Sequence, residues 1–360
     1  MLLGDLGAEV IKVESPAGDD TRTWQPPVHD GVSTYYLGVN RNKRSVIFDL
    51  SKGEDCELAQ ELARRADVLV ENFKPGNLEK FGLDYESVKA TNPEIIYASI
   101  SGFGSGAGAG IAGYDLMVQA ISGLMSLTGD PDGDPYRAGV AVLDVFAGLH
   151  SAIGIVSALY ARKSLGTGQR LEVNLLSSAL SGMVNQTSSY VAGGVVPFRM
   201  GNAHPSLYPY EPMHAKDGDL VVAVGNDSQF RKFCEVLEMP EVAQDSRFSR
   251  NENRNANRIE LRALISERIQ HWRRADLFRA LTAAGVPSGP INTLDEGVAF
   301  AEELGLSPVV TIADGAGEFN SIRNPIAFSA TPPSYRLAPP TLGEQSQEIR
   351  TWLADKAPGG

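Results

Sequence analysis

Short apolar runs alternate with amphipathic segments along the first half of the chain. Five runs predict strands, at residues 9–14, 44–50, 66–71, 94–100 and 170–175. Between the second and third of them, residues 54–65 put Leu58 and Leu62 on one helical face. Strands that alternate with helices indicate βαβ units, a parallel sheet, and ligands bound at the carboxyl ends of its strands. The predicted fold class is therefore α/β.

A longer apolar stretch covers residues 138–161. It predicts a strand over residues 140–143, followed by a helix that begins near Asp144. The apolar stripe of this helix consists of Leu149, Ile153, Val156 and Tyr160. The stretch is long enough to span a membrane, but it contains Asp144 and His150, and a carboxylate inside a bilayer is costly. We therefore expect a buried helix of a soluble protein.

The composition changes near residues 193–194, where an irregular segment begins. We predict a large domain over residues 1–195, a smaller α/β domain over residues 211–300, and a C-terminal segment, residues 310–360, that returns to the large domain. Residues 2–7 resemble the last turn of a helix with a glycine stop. We therefore expect the chain to lack whatever precedes this helix.

Composition and charge narrow the functional classes. Hydrophobic residues make up 42% of the 360 residues and charged residues 21%, which is typical of a globular chain. Lysine and arginine number 32 against 44 aspartates and glutamates, so the net charge of −12 disfavours binding to nucleic acid or anionic membranes. Cys56 and Cys234 are too few for a disulfide framework, and the N-terminus has no secretory signal pattern. These features predict a cytoplasmic protein.

Two aspartates at predicted helix starts carry the candidate chemistry. Asp144 is interpreted first as a helix N-cap, which stabilises a helix by about 1 kcal/mol. A carboxylate in a dry site is also a nucleophile or a base, and a helix N-terminus helps to keep it charged. Asp115 opens another apolar helix. At one edge of a sheet, the two carboxylates can converge on a single ligand.

Three further motifs each have a structural and a functional interpretation. The glycine-rich run at residues 102–110 does not open a helix directly, which disfavours a dinucleotide-binding loop. The basic cluster at residues 40–45 is typical of solvated surface but can also hold a nucleotide phosphate. His204 stands alone in a loop, which favours a structural role over a metal site. No metal-ligand spacing and no GxSxG motif is present, so the sequence predicts neither a metal nor a serine hydrolase.

A series of short motifs runs in order along the whole chain. They lie at residues 4–14, 40–45, 70–76, 101–104, 113–115, Asp144 with Gly148, 166–169, 201–206, 225–230, 285–290 and 342–343. Together they resemble the family III CoA-transferases, the group that also contains carnitine- and bile-acid-related CoA-transferases and alpha-methylacyl-CoA racemase.

The resemblance implies a Rossmann-like parallel-sheet large domain, a smaller α/β domain and an interlocked homodimer. It implies an enzyme that moves CoA from an acyl-CoA to a free carboxylic acid, with CoA as substrate and no tightly bound cofactor. In such transferases an aspartate at the position of Asp144 attacks the thioester. An aspartyl–acyl anhydride and then an aspartyl–CoA thioester follow. A weak carboxylate nucleophile needs desolvation and close placement, which a closed site supplies.

The resemblance also implies the binding residues. The CoA-binding positions are Asn72, Phe73, Lys80, Gly102 and Gly104, with the first three at the nucleotide and the two glycines near the pantetheine. Tyr114 and Asp115 are expected beside the thioester, and His204 is a candidate contact for the substrate carboxylate. The loop over residues 203–210 is bulkier than the glycine lid of formyl-CoA:oxalate transferases, and looks more like that of relatives that use succinyl-CoA.

Two alternatives stay open. Racemases of this family carry histidine where this chain has Tyr114, and tyrosine, with an ordinary pKa near 10, is a poor general base at neutral pH. Transfer is therefore favoured over racemisation. A catalytically inactive CoA-binding homologue is the second alternative. Set against the family, the chain is expected to lack the first βα unit of the large domain. Gln345 stands where relatives usually have histidine, and the sequence offers no physical reason for that change.

Overall fold

The computed structural model describes residues 1–314 and 317–355, and the chain separates into two compact units. The first unit contains Met1–Ile121, Val140–Val184 and the described residues from Ala301 onward. The second unit contains Ser122–Gly139 and Asn185–Phe300. Ser122–Gly139 and residues 185–195, which are predicted to lie in the large domain, thus belong to the second unit. Within that unit the amide of Gly201 donates to the carbonyl of Gly129 (3.0 Å).

Parallel pairing dominates the sheets of the first unit. The strands of the chain are β1 (Ile11–Glu14), β2 (Val28–His29), β3 (Val32–Ser33), β4 (Arg44–Ile47), β5 (Val68–Glu71), β6 (Ile96–Ser101), β7 (Gln169–Asn174), β8 (Tyr210–Ala215), β9 (Gly218–Ala223), β10 (Ser288–Pro290), β11 (Val309–Asp314) and β12 (Gly317–Ile322). Strand β1 pairs with β4, and β5, β6 and β7 form a three-stranded sheet, all in parallel. The pairs β2–β3 and β11–β12 are antiparallel, as is the β10–β9–β8 sheet of the second unit. The predicted α/β class with a parallel sheet is confirmed.

Helices connect the parallel strands, as the alternating pattern predicts. The helices are α1 (Leu2–Asp5), α2 (Thr34–Val39), α3 (Gly53–Arg65), α4 (Tyr85–Thr91), α5 (Asp115–Ile121), α6 (Leu124–Leu127), α7 (Val142–Leu165), α8 (Leu175–Gly182), α9 (Val184–Val191), α10 (Asp227–Val236), α11 (Pro240–Gln244), α12 (Asn251–Ala256), α13 (Arg258–Ile269), α14 (Arg274–Ala283), α15 (Leu294–Glu303) and α16 (Ser346–Ala354). Helix α3 carries Glu54 and Asp55 in its first turn and Arg64 and Arg65 in its last, so its charges oppose the helix dipole and stabilise the helix.

Each unit has its own apolar core. In the first unit it lies between the strands and helices α3, α4 and α16, and its buried members include Val46, Phe48, Ala59, Val88, Ile95, Tyr97, Ile349 and Leu353. In the second unit strand β9 packs with helices α10, α13 and α14, through Leu220, Val222, Phe230, Phe233, Leu261, Ile265, Leu277 and Leu281. Burial of these side chains supplies the main driving force for each unit.

The C-terminal segment binds strand β4 through Gln345. The side-chain Oε1 of Gln345 accepts a hydrogen bond from the backbone N–H of Ser45 (2.7 Å), and its own backbone N–H donates to the carbonyl of Ser45 (3.0 Å). The hydroxyl of Ser346 accepts from the N–H of Ile47 (3.1 Å). Gln345 therefore has a structural role at the edge of β4, which the sequence alone did not reveal.

The basic cluster at residues 40–45 is largely buried, which contradicts both interpretations of it. The Arg41 side chain is 1% exposed and forms an ion pair with Asp5 (2.7 Å). Its remaining nitrogen donates to the hydroxyl of Ser321 (2.7 Å) and the carbonyl of Ile322 (2.6 Å). Because these partners occupy the guanidinium, Arg41 is neither solvated nor available to a phosphate. The cluster instead fastens the N-terminal segment to β12.

Helix α7 buries only one of its faces. The buried positions are Leu143, Ala147, Ser151, Ile155 and Ala158. The predicted apolar stripe points outward instead, with Ile153 65% and Tyr160 75% exposed, so the expectation of a buried helix is wrong for this face. Small side chains face the sheet because the helix packs closely there: a Cβ added at Gly154 would lie 3.3 Å from the Leu171 side chain. Of the described helices, α7 alone is long and apolar enough to cross a membrane, a property that core helices of soluble proteins share.

Candidate active site

Asp144 lies in the first turn of α7. The helix already begins at Val142, with Ala141 as its N-cap, so Val142 and Leu143 are helical rather than part of a strand. The predictions of a strand over residues 140–143 and of Asp144 as N-cap are therefore wrong. Asp144 is the third residue of a 24-residue helix, where the helix dipole favours a negative charge.

The carboxylate of Asp115 holds the backbone around Asp144. Its Oδ1 accepts hydrogen bonds from the N–H groups of Leu143 (2.8 Å) and Asp144 (3.2 Å). Asp115 is the first residue of α5, yet it caps the start of α7, a helix that follows later in the chain. The structure thus brings together the two aspartates that the sequence analysis singled out.

This proximity changes the acidity of Asp144. Burial by the surrounding protein raises the pKa of Asp144 above its usual range, and the negative charge of Asp115 raises it further. Asp144 is exposed in the single chain, yet its charged form is less favoured than that of a free aspartate. A carboxylate with a raised pKa is more basic, and therefore a better nucleophile, than an ordinary one.

Two glycines bring the two ends of the glycine-rich loop into contact. A Cβ added at Gly102 would lie 2.5 Å from the Cα of Gly113, and one added at Gly113 would be similarly close to the Cα of Gly102. No side chain fits at either position without moving the backbone. This approach puts Tyr114 and Asp115 directly beside the carboxyl end of β6. Gly104 follows with a φ of +82°, a conformation that glycine adopts readily.

Two aromatic residues near the aspartates, Trp24 and Tyr35, were not predicted from the sequence. The rings of Trp24 and Tyr35 meet edge to face, with centroids 5.0 Å apart. Together with residues 25–27 and Thr34 they line a cavity of about 380 Å³. Burial raises the pKa of Tyr35, and the charges of Asp144 and Asp115 raise it further, so its hydroxyl lies within electrostatic range of both carboxylates. In the sequence these residues form an aromatic cluster around two prolines. Such a cluster has no fixed spacing by which a site is identified.

The predicted nucleotide-binding residues lie on the surface after strand β5. Asn72 and Phe73 are exposed, and the N–H of Phe73 donates to the Glu71 carboxylate (2.8 Å). Lys80 is exposed in a 3₁₀ turn, Glu79–Phe81, with its Nζ 4.8 Å from the centre of the Phe81 ring. These side chains are accessible to a ligand at the carboxyl ends of the strands. Tyr114 is also accessible, with 68% of its surface exposed.

His204 belongs to the second unit and organises a turn there. Its Nδ1 accepts hydrogen bonds from the N–H groups of Ser206 (3.0 Å) and Leu207 (3.1 Å). Its ring lies 5.0 Å from that of Tyr210. These contacts explain a structural role, and contact with a substrate stays a prediction. Among residues 1–314 and 317–355, no cluster of three or more His, Cys, Asp or Glu side chains is arranged to hold a metal ion.

Comparison with known proteins relates the chain to one family. The model of CoA-transferase family III matches residues 1–346. A succinate–glutarate CoA-transferase from Agrobacterium fabrum is 43% identical over 358 residues, which cover 97% of this chain and 89% of that protein. The succinyl-CoA:glutarate CoA-transferase of Homo sapiens is 40% identical over 352 residues, covering 97% and 80% of the two chains. The crystal structure of a CAIB/BAIF family protein from Brucella suis is 45% identical and aligns with a TM-score of 0.85, over 98% of this chain and 93% of that one.

Proposed function

Because the chain belongs to family III of the CoA-transferases, we propose that it moves CoA from succinyl-CoA to a dicarboxylic acid such as glutarate, through a covalent intermediate on Asp144. Transfer of CoA between an acyl-CoA and a carboxylic acid is the activity named for both of these relatives, and this chain is an enzyme of that class. The choice of succinyl-CoA and glutarate rests on the names of the two relatives. The observation that carries the covalent route is the position of Asp144 in the first turn of α7, a turn to which Asp115 of α5 is bonded.

The proposed reaction proceeds through four exchanges at carbonyl carbons. The Asp144 carboxylate attacks the thioester carbon of succinyl-CoA, the C–S bond breaks, and CoA leaves as a thiolate. The thiolate attacks the aspartyl carbonyl of the mixed anhydride, which releases succinate and leaves an Asp144–CoA thioester. The acceptor carboxylate attacks that thioester and again frees the thiolate, which takes the acceptor acyl group and restores the Asp144 carboxylate. No proton is gained or lost over the cycle.

The residues around Asp144 support this route in three ways. Asp115 fixes the backbone that carries the nucleophile, and the raised pKa of Asp144 makes its carboxylate more reactive. We place the methylene groups of the acyl chain against the rings of Trp24 and Tyr35, which line an open cavity. Asn72, Phe73, Lys80 and the loop of Gly102 and Gly104 stay the proposed CoA-binding positions.

A product assay tests the proposed function directly. Purified protein is incubated with succinyl-CoA and glutarate, and the CoA esters are separated by chromatography and weighed by mass spectrometry. We expect glutaryl-CoA and succinate in equal amounts. Hydrolysis of succinyl-CoA without formation of glutaryl-CoA contradicts the choice of glutarate as the acceptor. Exchange of the α-proton of a 2-methylacyl-CoA in deuterated buffer, without transfer to any acid, indicates a racemase instead.

The rate of transfer is expected to fall on the acid side at a pH above the ordinary aspartate range. Only ionised Asp144 is a nucleophile, and burial and then Asp115 raise its pKa, so protonation removes activity as the pH falls through that raised value. Asp115→Asn removes the charge but keeps an oxygen for the two N–H groups. The pH below which the activity of this variant falls should therefore be lower than in the wild type. The pH dependence of kcat/KM is measured for the wild type and for Asp115→Asn. The same acid-side midpoint in both proteins contradicts the electrostatic account.

We also propose that the chain forms a homodimer through the exposed face of α7. This face carries Val145, Leu149, Ile153, Val156 and Tyr160, while the opposite face packs on the unit's own core. A helix that is apolar on both sides needs a second partner, and the family resemblance implies an interlocked copy of the chain. Sedimentation equilibrium should give twice the 38.5 kDa chain mass. Ile153→Asp should reduce it, whereas Ser164→Asp, at an exposed polar position of α7, should not.

The predicted cytoplasmic location is kept as part of the proposal. It is supported by the state of the two cysteines, Cys56 and Cys234, which are both free thiols, since disulfides are rare in the reducing cytosol.

A further inference from the structure

We propose that Gln119 is a positioning residue for the nucleophile, acting through Asp115. This inference rests on the proposed role of Asp144 and adds a residue that the comparisons and the sequence motifs leave unassigned. Gln119 lies in α5, one turn after Asp115, and its surface is 0% exposed. A fully buried amide side chain is costly unless its polar groups are bonded, so its partners indicate what it does.

The Gln119 amide contacts the Asp115 carboxylate and the backbone just before α7. Its Nε2 donates to Oδ2 of Asp115, and lies 3.4 Å from the carbonyl oxygen of Val140. The other oxygen of Asp115, Oδ1, accepts from the N–H groups of Leu143 and Asp144. The carboxylate thus receives N–H donors on both sides, two from α7 and one from Gln119.

This arrangement makes Gln119 the residue that sets the rotation of the Asp115 carboxylate. With Oδ2 held by the amide, Oδ1 stays directed at the first turn of α7. Without the amide, the carboxylate can rotate and lose its bonds to Leu143 and Asp144. A displacement of about 1 Å at a reacting group is enough to cost a factor of about 100 in rate. The effect therefore reaches Asp144 through the backbone, with no contact between Gln119 and the substrate.

Position 119 requires a side chain that donates a hydrogen bond to Asp115. Glutamate has the shape of glutamine but only accepts hydrogen bonds when ionised, so it would oppose Asp115. Methionine has a similar length and no N–H. The double variant Asp115→Asn with Gln119→Glu reverses the bond: the new amide at position 115 would donate to the new carboxylate at position 119, and the amide oxygen would still accept from α7. The net charge of the pair is unchanged, because one carboxylate is replaced by another.

Steady-state kinetics with succinyl-CoA and glutarate test the proposal. We expect Gln119→Met to lower kcat by about 10- to 100-fold while KM for succinyl-CoA stays within about twofold, because the residue positions Asp144 and does not bind CoA. Gln119→Glu should lower kcat by at least the same factor. The reversed double variant should recover about tenfold over Gln119→Glu. Val118→Ala, a buried neighbour in α5, is the matched control, and should lower the melting temperature without lowering kcat.

The outcomes distinguish failure of the proposed role of Asp144 from failure of the proposed role of Gln119. If Asp144→Asn retains transfer, the proposed function fails, whatever Gln119 does. If Asp144→Asn is inactive but Gln119→Met keeps the wild-type kcat, the role of Gln119 is wrong and that of Asp144 stands. A Gln119→Met protein that loses only stability, as Val118→Ala does, also refutes a positioning role. Failure of the reversed pair to exceed Gln119→Glu refutes the hydrogen-bond mechanism.

Discussion

Replacing Asp144 with asparagine is expected to lower the rate of CoA transfer by a factor on the order of 10⁴ to 10⁶, as removal of a covalent nucleophile does in other enzymes. Asparagine keeps the shape of the side chain but cannot form the anhydride or the thioester. The measurement is the initial rate of glutaryl-CoA formation at saturating succinyl-CoA. Glu57→Gln, at an exposed position of α3, is the control, and should keep the wild-type rate.

The loss should occur without loss of stability. The raised pKa of Asp144 means that its charged form is disfavoured in the folded protein relative to the unfolded chain. At neutral pH the charge therefore opposes folding, and a neutral side chain removes that penalty. Asp144→Asn should melt at the same temperature as the wild type or above it. An inactive variant with a lower melting temperature would instead indicate that Asp144 has a structural role.

Replacing Arg41 with methionine is expected to lower the free energy of unfolding of the first unit by about 3 to 5 kcal/mol. The side chains of Arg41 and Asp5 are 1% and 0% exposed, and their ion pair is 2.7 Å long. Burial alone would raise the pKa of Asp5, but hydrogen bonds from Arg41, then Asn324 and Asn42, hold it below its usual range. Removing Arg41 leaves a buried carboxylate without its counter-charge. Urea unfolding, followed by far-ultraviolet circular dichroism, measures the change.

Arg44→Met is the matched control for this prediction. Arg44 belongs to the same basic cluster, but its partners Glu9 and Glu348 are 65% and 69% exposed. Exposed ion pairs contribute only about 0 to 1 kcal/mol because water and salt screen them. Equal losses for Arg41→Met and Arg44→Met would contradict the assignment of the cluster as a buried structural element.

The sequence was sufficient where the signal is local. Periodicity predicted the strands and helix α3, because the alternation of side chains depends only on neighbouring residues. Ordered motifs identified the family and, with it, Asp144 and Asp115 as the candidate pair. The glycines of the loop after β6 were recognised, although the reason for two of them, the contact between Gly102 and Gly113, needs the folded backbone.

The sequence was insufficient where distant segments meet. Arg41 was interpreted as surface because a basic run usually is, and its partner Asp5 lies far from it in the chain. The cap of α7 comes from Asp115, and no rule for residues adjacent to a helix start detects it. The stripe of α7 was correctly identified as apolar but assigned to the core, since a periodic pattern does not distinguish a core from an exposed apolar surface.

Trapping of the intermediate tests the central claim most directly. The protein is incubated with succinyl-CoA alone, reduced with borohydride, digested, and examined by mass spectrometry of the peptide that contains Asp144. The covalent route predicts that the side chain of residue 144 is reduced to an alcohol, because hydride converts an acyl thioester or anhydride to an alcohol and leaves a free carboxylate intact. A protein that transfers CoA while Asp144 stays an unreduced aspartate would contradict the account.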